Sequence, residues 1–153
     1  MIETKCGFID GPQGSGASLL AIYGPTLKVD IGFDASFKPK TVILPVAGIK
    51  NVDALVDTGA SESCIDNLLA SSLNLPIFDR RAISGAGGKH ITNMYLAQIH
   101  IPTLNFTIYG AFAGVDLRAG GQPHNALIGR TFLQVFTMIY EGRTGNVTLS
   151  SGQ

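Results

Sequence analysis

The sequence predicts a single all-β domain, and three observations carry that reading. Short stretches alternate apolar with polar residues, the clearest being Leu27-Lys28-Val29-Asp30-Ile31-Gly32-Phe33. Turn signals such as Gly24-Pro25 and Gly120-Gly121-Gln122-Pro123 separate these stretches. The length, 153 residues, suffices for one domain with its own core and is too short for two.

Composition narrows the class further. Eleven basic and eleven acidic residues give no net charge, and no basic run points to nucleic acid. Charged residues make up 14% of the chain against a usual ~25%, which suits a protein that hides surface in a partner. No apolar run approaches the ~18 residues of a membrane span, and residues 1–5 lack the pattern of a signal peptide. Cys6 and Cys64 are the two cysteines; they lean toward a reducing, cytoplasmic compartment, with one disulfide as the alternative. His90, His100 and His124 show no metal-ligand spacing with them, so neither metal nor cofactor is expected.

Taken in order, residues 1–17 are the least interpretable, with Asp10 to Gly16 reading as a turn or mobile loop. Gly11, Gly14 and Gly16 lack the spacing, and the following helix, of a dinucleotide-binding turn. Residues 18–23 read as a strand, followed by a turn at Gly24-Pro25 and a second strand at 27–33. Residues 41–47 and 52–56 are expected to form a hairpin through Gly48-Ile49-Lys50-Asn51. That hairpin delivers Asp57, an ionisable group at the end of an apolar strand, followed by Thr58 and Gly59. A carboxylate there is costly to desolvate without hydrogen-bond donors. Thr58 offers a hydroxyl and Gly59 an unobstructed N–H. Asp53, by contrast, falls on the other strand face, and no other carboxylate has a context like that of Asp57.

Cys64-Ile65-Asp66 continues apolar, and 67–73 reads as a short helical turn. Cys64 is either a nucleophile near a carboxylate or a small buried hydrophobe; no nearby His supplies the base that the first reading needs. Residues 77–101 read as two strands joined by Ser84, Gly85, Ala86, Gly87 and Gly88, a tip whose bare backbone can approach a ligand. A strand alternates through Leu104, Phe106 and Ile108, and 110–125 reads as a glycine- and alanine-rich connection. Leu127, Ile128 and Gly129 then precede Arg130 and a short helix. Residues 135–140 and 147–149 close the chain as a hairpin.

The octapeptide Ala54-Leu55-Val56-Asp57-Thr58-Gly59-Ala60-Ser61 resembles the active-site motif of aspartic proteases, and its single occurrence resembles the retroviral type (retropepsins). The glycine-rich hairpin resembles the family's flap. Ala126-Leu127-Ile128-Gly129-Arg130 resembles its second signature, 72 residues after Asp57. The resemblance spans residues 40–150 and implies a closed β-barrel or sandwich, one lobe per chain, with a short C-terminal helix. Residues 1–39 lie outside it, as an extension that extends the sheet, shields it or builds a dimer; 151–153 are a tail.

By that resemblance Asp57 is catalytic and Thr58, Gly59 and Ala60 support its loop. Ser84, Gly85, Ala86, Gly87 and Gly88 bind substrate, and Leu127, Ile128 and Gly129 buttress the site. Arg130 is structural; the family's acidic partner is replaced here by Ser61, leaving Glu62 as a substitute. One Asp57 per chain implies a homodimer acting on an extended polypeptide. The rival expectation is a non-catalytic peptide-binding or dimerisation module with the same fold. In a third reading, residues 1–39 block the cleft until they are removed.

Overall fold

The computed structural model describes residues 1–39, 47–85 and 87–152. Among these residues ten strands dominate: β1 (Ile2–Lys5), β2 (Thr26–Gly32), β3 (Ala47–Val56), β4 (Cys64–Asp66), β5 (Ile77–Gly85), β6 (Gly88–Ile101), β7 (Phe106–Val115), β8 (Ala126–Ile128), β9 (Phe136–Glu141) and β10 (Asn146–Ser151). Three short helices join them: α1 (Gly16–Tyr23), α2 (Asn67–Ser72) and α3 (Arg130–Leu133). The all-β expectation holds, short helix before the closing hairpin included.

Six strands close into a barrel. The order β2-β3-β8-β4-β7-β6 returns on itself because β6 also pairs with β2, through Ile31 opposite Ile99. β5 extends outward from β6 as the far arm of a hairpin. Closure removes edges that would otherwise be left unpaired. The alternating residues predicted to face inward do so: Leu27, Val29 and Ile31 of β2 are buried with Ala54, Val56, Ile65, Ile99 and Ile128. A second sheet, β1-β10-β9, packs Val147 and Leu149 onto the same core.

Three expectations about local structure are corrected. Residues 18–23 are helical, not extended. Ser15 caps α1 by accepting from the Ser18 N–H, and Asp10 accepts from the Gly16 N–H at 2.8 Å. A short apolar run cannot by itself distinguish strand from helix, and these caps decide it. The helix denied to the glycines of residues 11–16 is therefore present, although their spacing remains wrong for a dinucleotide. The turn expected at residues 48–51 is absent. β3 runs straight through it against β2, with Asn51 at φ 58° absorbing a register shift. Of the partner strand expected at 41–47, Ala47 begins β3 and the rest lies outside the described residues. Finally, β7 continues to Val115 where a loop was expected, because Phe112 and Ala113 are buried in it.

The start of the chain is locked to its end. β1 pairs with β10, Ile2 opposite Ser151 and Lys5 opposite Thr148. Beyond it the Cys6 N–H donates to the Val147 carbonyl and the Phe8 N–H to that of Gly145. A Cβ on Gly145 would lie 2.2 Å from the Gly16 carbonyl carbon, and one on Gly7 would lie 2.2 Å from the Gly145 oxygen. Only glycines let these three backbone segments meet.

His124 is 3% exposed, and its buried Nδ1 has no hydrogen-bond partner among the described residues. Burial pushes its pKa below 6.5, against the pull of the Asp53 charge and of the Tyr23 backbone. The neutral ring is thus the folded form, whereas the unfolded chain takes up a proton as pH falls through 6.5. Stability present above that pH is lost as pH falls toward the folded-state pKa. Urea unfolding at pH 7.5 and 5.5 should show the loss, and His124→Gln should make it smaller; an unchanged drop would remove His124 as its source.

Candidate active site

Asp57 sits where β3 leaves the barrel wall. β8 lies between β3 and β4, parallel to the first (Val56 opposite Ile128) and antiparallel to the second (Cys64 opposite Leu127). The loop of residues 57–63 therefore has to wrap over the end of β8. The Asp57 N–H donates to the Ile128 carbonyl at 2.9 Å, fixing the backbone of the half-buried aspartate to the core. Its Oδ1 accepts from the Gly59 N–H at 2.8 Å, and its carbonyl accepts from the Ala60 N–H at 3.2 Å. The carboxylate thus has a backbone donor of the kind anticipated.

The strand after it clamps the loop from the other side. Gly129 is extended, so its backbone angles suit any residue; close approach is what demands glycine. A Cβ there would lie 2.5 Å from the carbonyl carbon of Glu62 and 2.6 Å from its oxygen. The Gly129 N–H donates to Ser63 Oγ at 3.0 Å, both residues being buried. The first N–H groups of α3 then close on the loop, Arg130 donating to the Ala60 carbonyl and Thr131 to that of Ser61, each at 2.9 Å. Such groups have no partner within a helix, and here the loop supplies one.

Arg130 reaches the same loop with its side chain, Nη1 donating to the Thr58 carbonyl at 2.7 Å. Its partner is thus a backbone oxygen, where Glu62 was the candidate carboxylate. With a serine at position 61, Arg130 holds the loop through a backbone carbonyl.

The structure joins Asp57, Thr58, Gly59, Ala60, Ile128 and Gly129 in one hydrogen-bonded unit, with Leu127 in register between Leu55 and Cys64. The residues at 84–88 form the tip of the β5–β6 hairpin, with Gly85 opposite Gly88 and Ser84 opposite Lys89; Ala86 lies outside the described residues. An open pocket of about 520 Å³ at this hairpin's base is lined by Asn67, Arg80, Ile91, Thr92, Asn93 and Tyr95. Asp57 does not line it.

Cys64 faces the same neighbourhood. Burial, then the charges of Glu62 and Asp57, push its thiol up to about 11. A thiol that weakly acidic is a poor nucleophile at neutral pH, in accord with its reading as a small hydrophobe. Cys6, buried, is pushed up to about 12, and both cysteines are free.

Two contributors were missed in the sequence. Asp66 is fully buried and accepts three backbone N–H bonds, from Leu69 at 3.1 Å and from Leu117 and Arg118 at 3.0 Å. It caps α2 and pins the loop that leads toward β8. An Asp directly before a helical turn is a capping signal and was readable as such. Ser63 had no comparable signal, because its partner is 66 residues away.

A model of a family described as aspartyl protease matches residues 42–132, more than half of the chain. The chain belongs to the aspartyl protease family. No curated protein matches it significantly. Among solved structures it is similar to the EIAV protease complexed with the inhibitor HBY-793, at 19% identity and TM-score 0.44 over 72% of this chain and 85% of that one. The matched span of this aspartyl protease family member runs from before β3 to α3 and so contains the whole clamp around Asp57.

Gly129→Ala tests that clamp. Forcing a methyl group against the Glu62 backbone should cost about 3 kcal/mol in urea unfolding. A loss within experimental error would show that the loop yields freely and that the contact is not a constraint.

Proposed function

We propose that this chain is an aspartic endopeptidase that works as a homodimer, with Asp57 of each copy forming one catalytic pair. The observation that carries the proposal is a single half-buried aspartate held in a braced loop at a barrel rim, with its backbone anchored and its carboxylate accepting from the Gly59 N–H. Membership of the aspartyl protease family supports the reading.

One carboxylate cannot readily serve as base and acid together in peptide hydrolysis. A two-fold axis through the site supplies the second one, because an isologous contact repeats the same patch. Carboxylates brought that close share a proton and titrate as a unit. The ionised Asp57 takes a proton from water as the water oxygen bonds to the scissile carbonyl carbon. The protonated Asp57 gives its proton to the carbonyl oxygen. The tetrahedral adduct then collapses, the C–N bond breaks, and a proton passes to the departing amine. No covalent enzyme intermediate and no cofactor enter this scheme.

Thr58, exposed at the loop's end, is assigned to contacts across the axis. Residues 84–88 act as the flap that lays an extended peptide against the site as an added strand, and closure excludes water. Leu127, Ile128 and Gly129 hold Asp57 in place. In this reading the protease domain of residues 40–150 folds together with β2, which completes its barrel, and the chain acts in the cytoplasm. Among the described residues no helix is long and apolar enough to cross a membrane.

Asp57→Asn should reduce cleavage of denatured casein by about 10³-fold or more while leaving circular dichroism and sedimentation unchanged. Cleavage surviving in that variant would refute the assignment. Wild-type protein that dimerises but never cleaves would favour the binding-module alternative. Activity should also fall from acid to alkaline pH as the shared proton is lost, and a flat pH profile would count against a carboxylate pair.

A further inference from the structure

The open pocket at the base of the β5–β6 hairpin is built from residues that the mechanism above leaves unused. Ile91, Asn93 and Tyr95 alternate along one face of β6, from exposed Ile91 down to buried Tyr95. Asn67, the first residue of α2, and Arg80 of β5 close its sides. Asp57 and the other residues of its loop do not line it. At about 520 Å³ it has room for a side chain and a stretch of backbone.

The polar groups of the pocket are bonded head to tail. Arg80 Nε donates to Asn93 Oδ1 at 3.1 Å, and Asn93 Nδ2 donates to the Tyr95 hydroxyl at 3.3 Å. That hydroxyl donates to Asn67 Oδ1 at 3.3 Å, and Asn67 Nδ2 donates to Asp116 Oδ1 at 2.8 Å. A chain that starts at a guanidinium and ends at a carboxylate polarises each of its members. It fixes Arg80 through Nε and leaves both Nη groups without a hydrogen bond or ion pair among the described residues. Each asparagine keeps a second amide hydrogen as well.

Three features say what such a pocket takes. An arginine anchored in this way presents a planar fork of donors, which a carboxylate matches with two parallel bonds. The hairpin carries Arg80, Arg81 and Lys89 against Asp79 alone, in a chain with no net charge. Among the described residues β5 pairs only with β6, so its outer edge is open to an added strand.

We propose that this pocket is a second polypeptide-binding site, separate from Asp57, in which Arg80 takes a carboxylate of an acidic segment laid along β5. The site does not depend on Asp57 being catalytic. In an endopeptidase it holds a substrate by a part of the chain that is not cut.

Titration of the full chain with an acetylated, amidated peptide of alternating glutamate and alanine tests it, read by calorimetry and by the side-chain amide signals of Asn67 and Asn93. Both signals should shift, and the glutamine counterpart should bind about tenfold more weakly. Arg80→Gln, at an exposed position, should weaken the glutamate peptide by about tenfold, and Arg80→Lys, which keeps the charge and loses the fork, by about threefold. Arg81→Gln, outside the pocket, should change binding by less than about twofold. The glutamine peptide with a free C-terminus tells a chain end from a side chain as the source of the carboxylate. No binding, equal binding of the glutamate and glutamine peptides, or equal losses in the Arg80 and Arg81 variants overturns the pocket. Asp57→Asn should bind the glutamate peptide like the wild type. Binding lost there puts the peptide at Asp57 and overturns a separate site, whereas cleavage lost with binding intact leaves it standing.

Discussion

The site depends on one constraint, the passage of a backbone without a side chain between β3 and β4. β8 has its place in the barrel because Gly129, at its exit, can touch the Glu62 backbone. From that contact follow the Ile128 bond to Asp57, the Ser63 bond to Gly129, and the closure of α3 onto Ala60 and Ser61. Each of these is a modest interaction, about 1 kcal/mol net. Together they leave the aspartate loop few ways to move, a fixed geometry on which the proposed role of Asp57 relies.

The same economy explains how the loop manages without an acidic partner for Arg130. A guanidinium needs acceptors, and carbonyl oxygens in a tight loop are acceptors already in position. The arginine bonds Thr58 and not a carboxylate, so no further negative charge is placed beside Asp57. Asp66 does a related job lower down, where a fully buried carboxylate is supported by three backbone donors and fixes α2 relative to residues 117 and 118.

What was legible in the sequence follows from how local each signal is. The alternation from Leu27 to Ile31 and the closing hairpin were readable because their period is set by the chain itself. Asp57 and Gly129 were found through motif and spacing. Residues 110–115 were not: alanine and glycine have little strand preference, and β7 forms because its neighbours β6 and β4 are there to pair with it. α1 is ambiguous in the sequence because six apolar-rich residues suit either structure, and the groups that decide it, Asp10 and Ser15, lie before the run. The unbroken path of β3 hinges on Asn51 accepting a left-handed conformation in a position that looked like a turn.

The pairing of β1 with β10 has a temporal side. As the polypeptide leaves the ribosome, residues 2–5 have no strand to join until residues 148–151 have been translated. The rim that carries Asp57 stays unbraced in the nascent chain until Ile128, Gly129 and Arg130 emerge some seventy positions later. Contacts this distant make folding slow and late. The loop that carries Asp57 therefore gains its bracing only once most of the chain has been made.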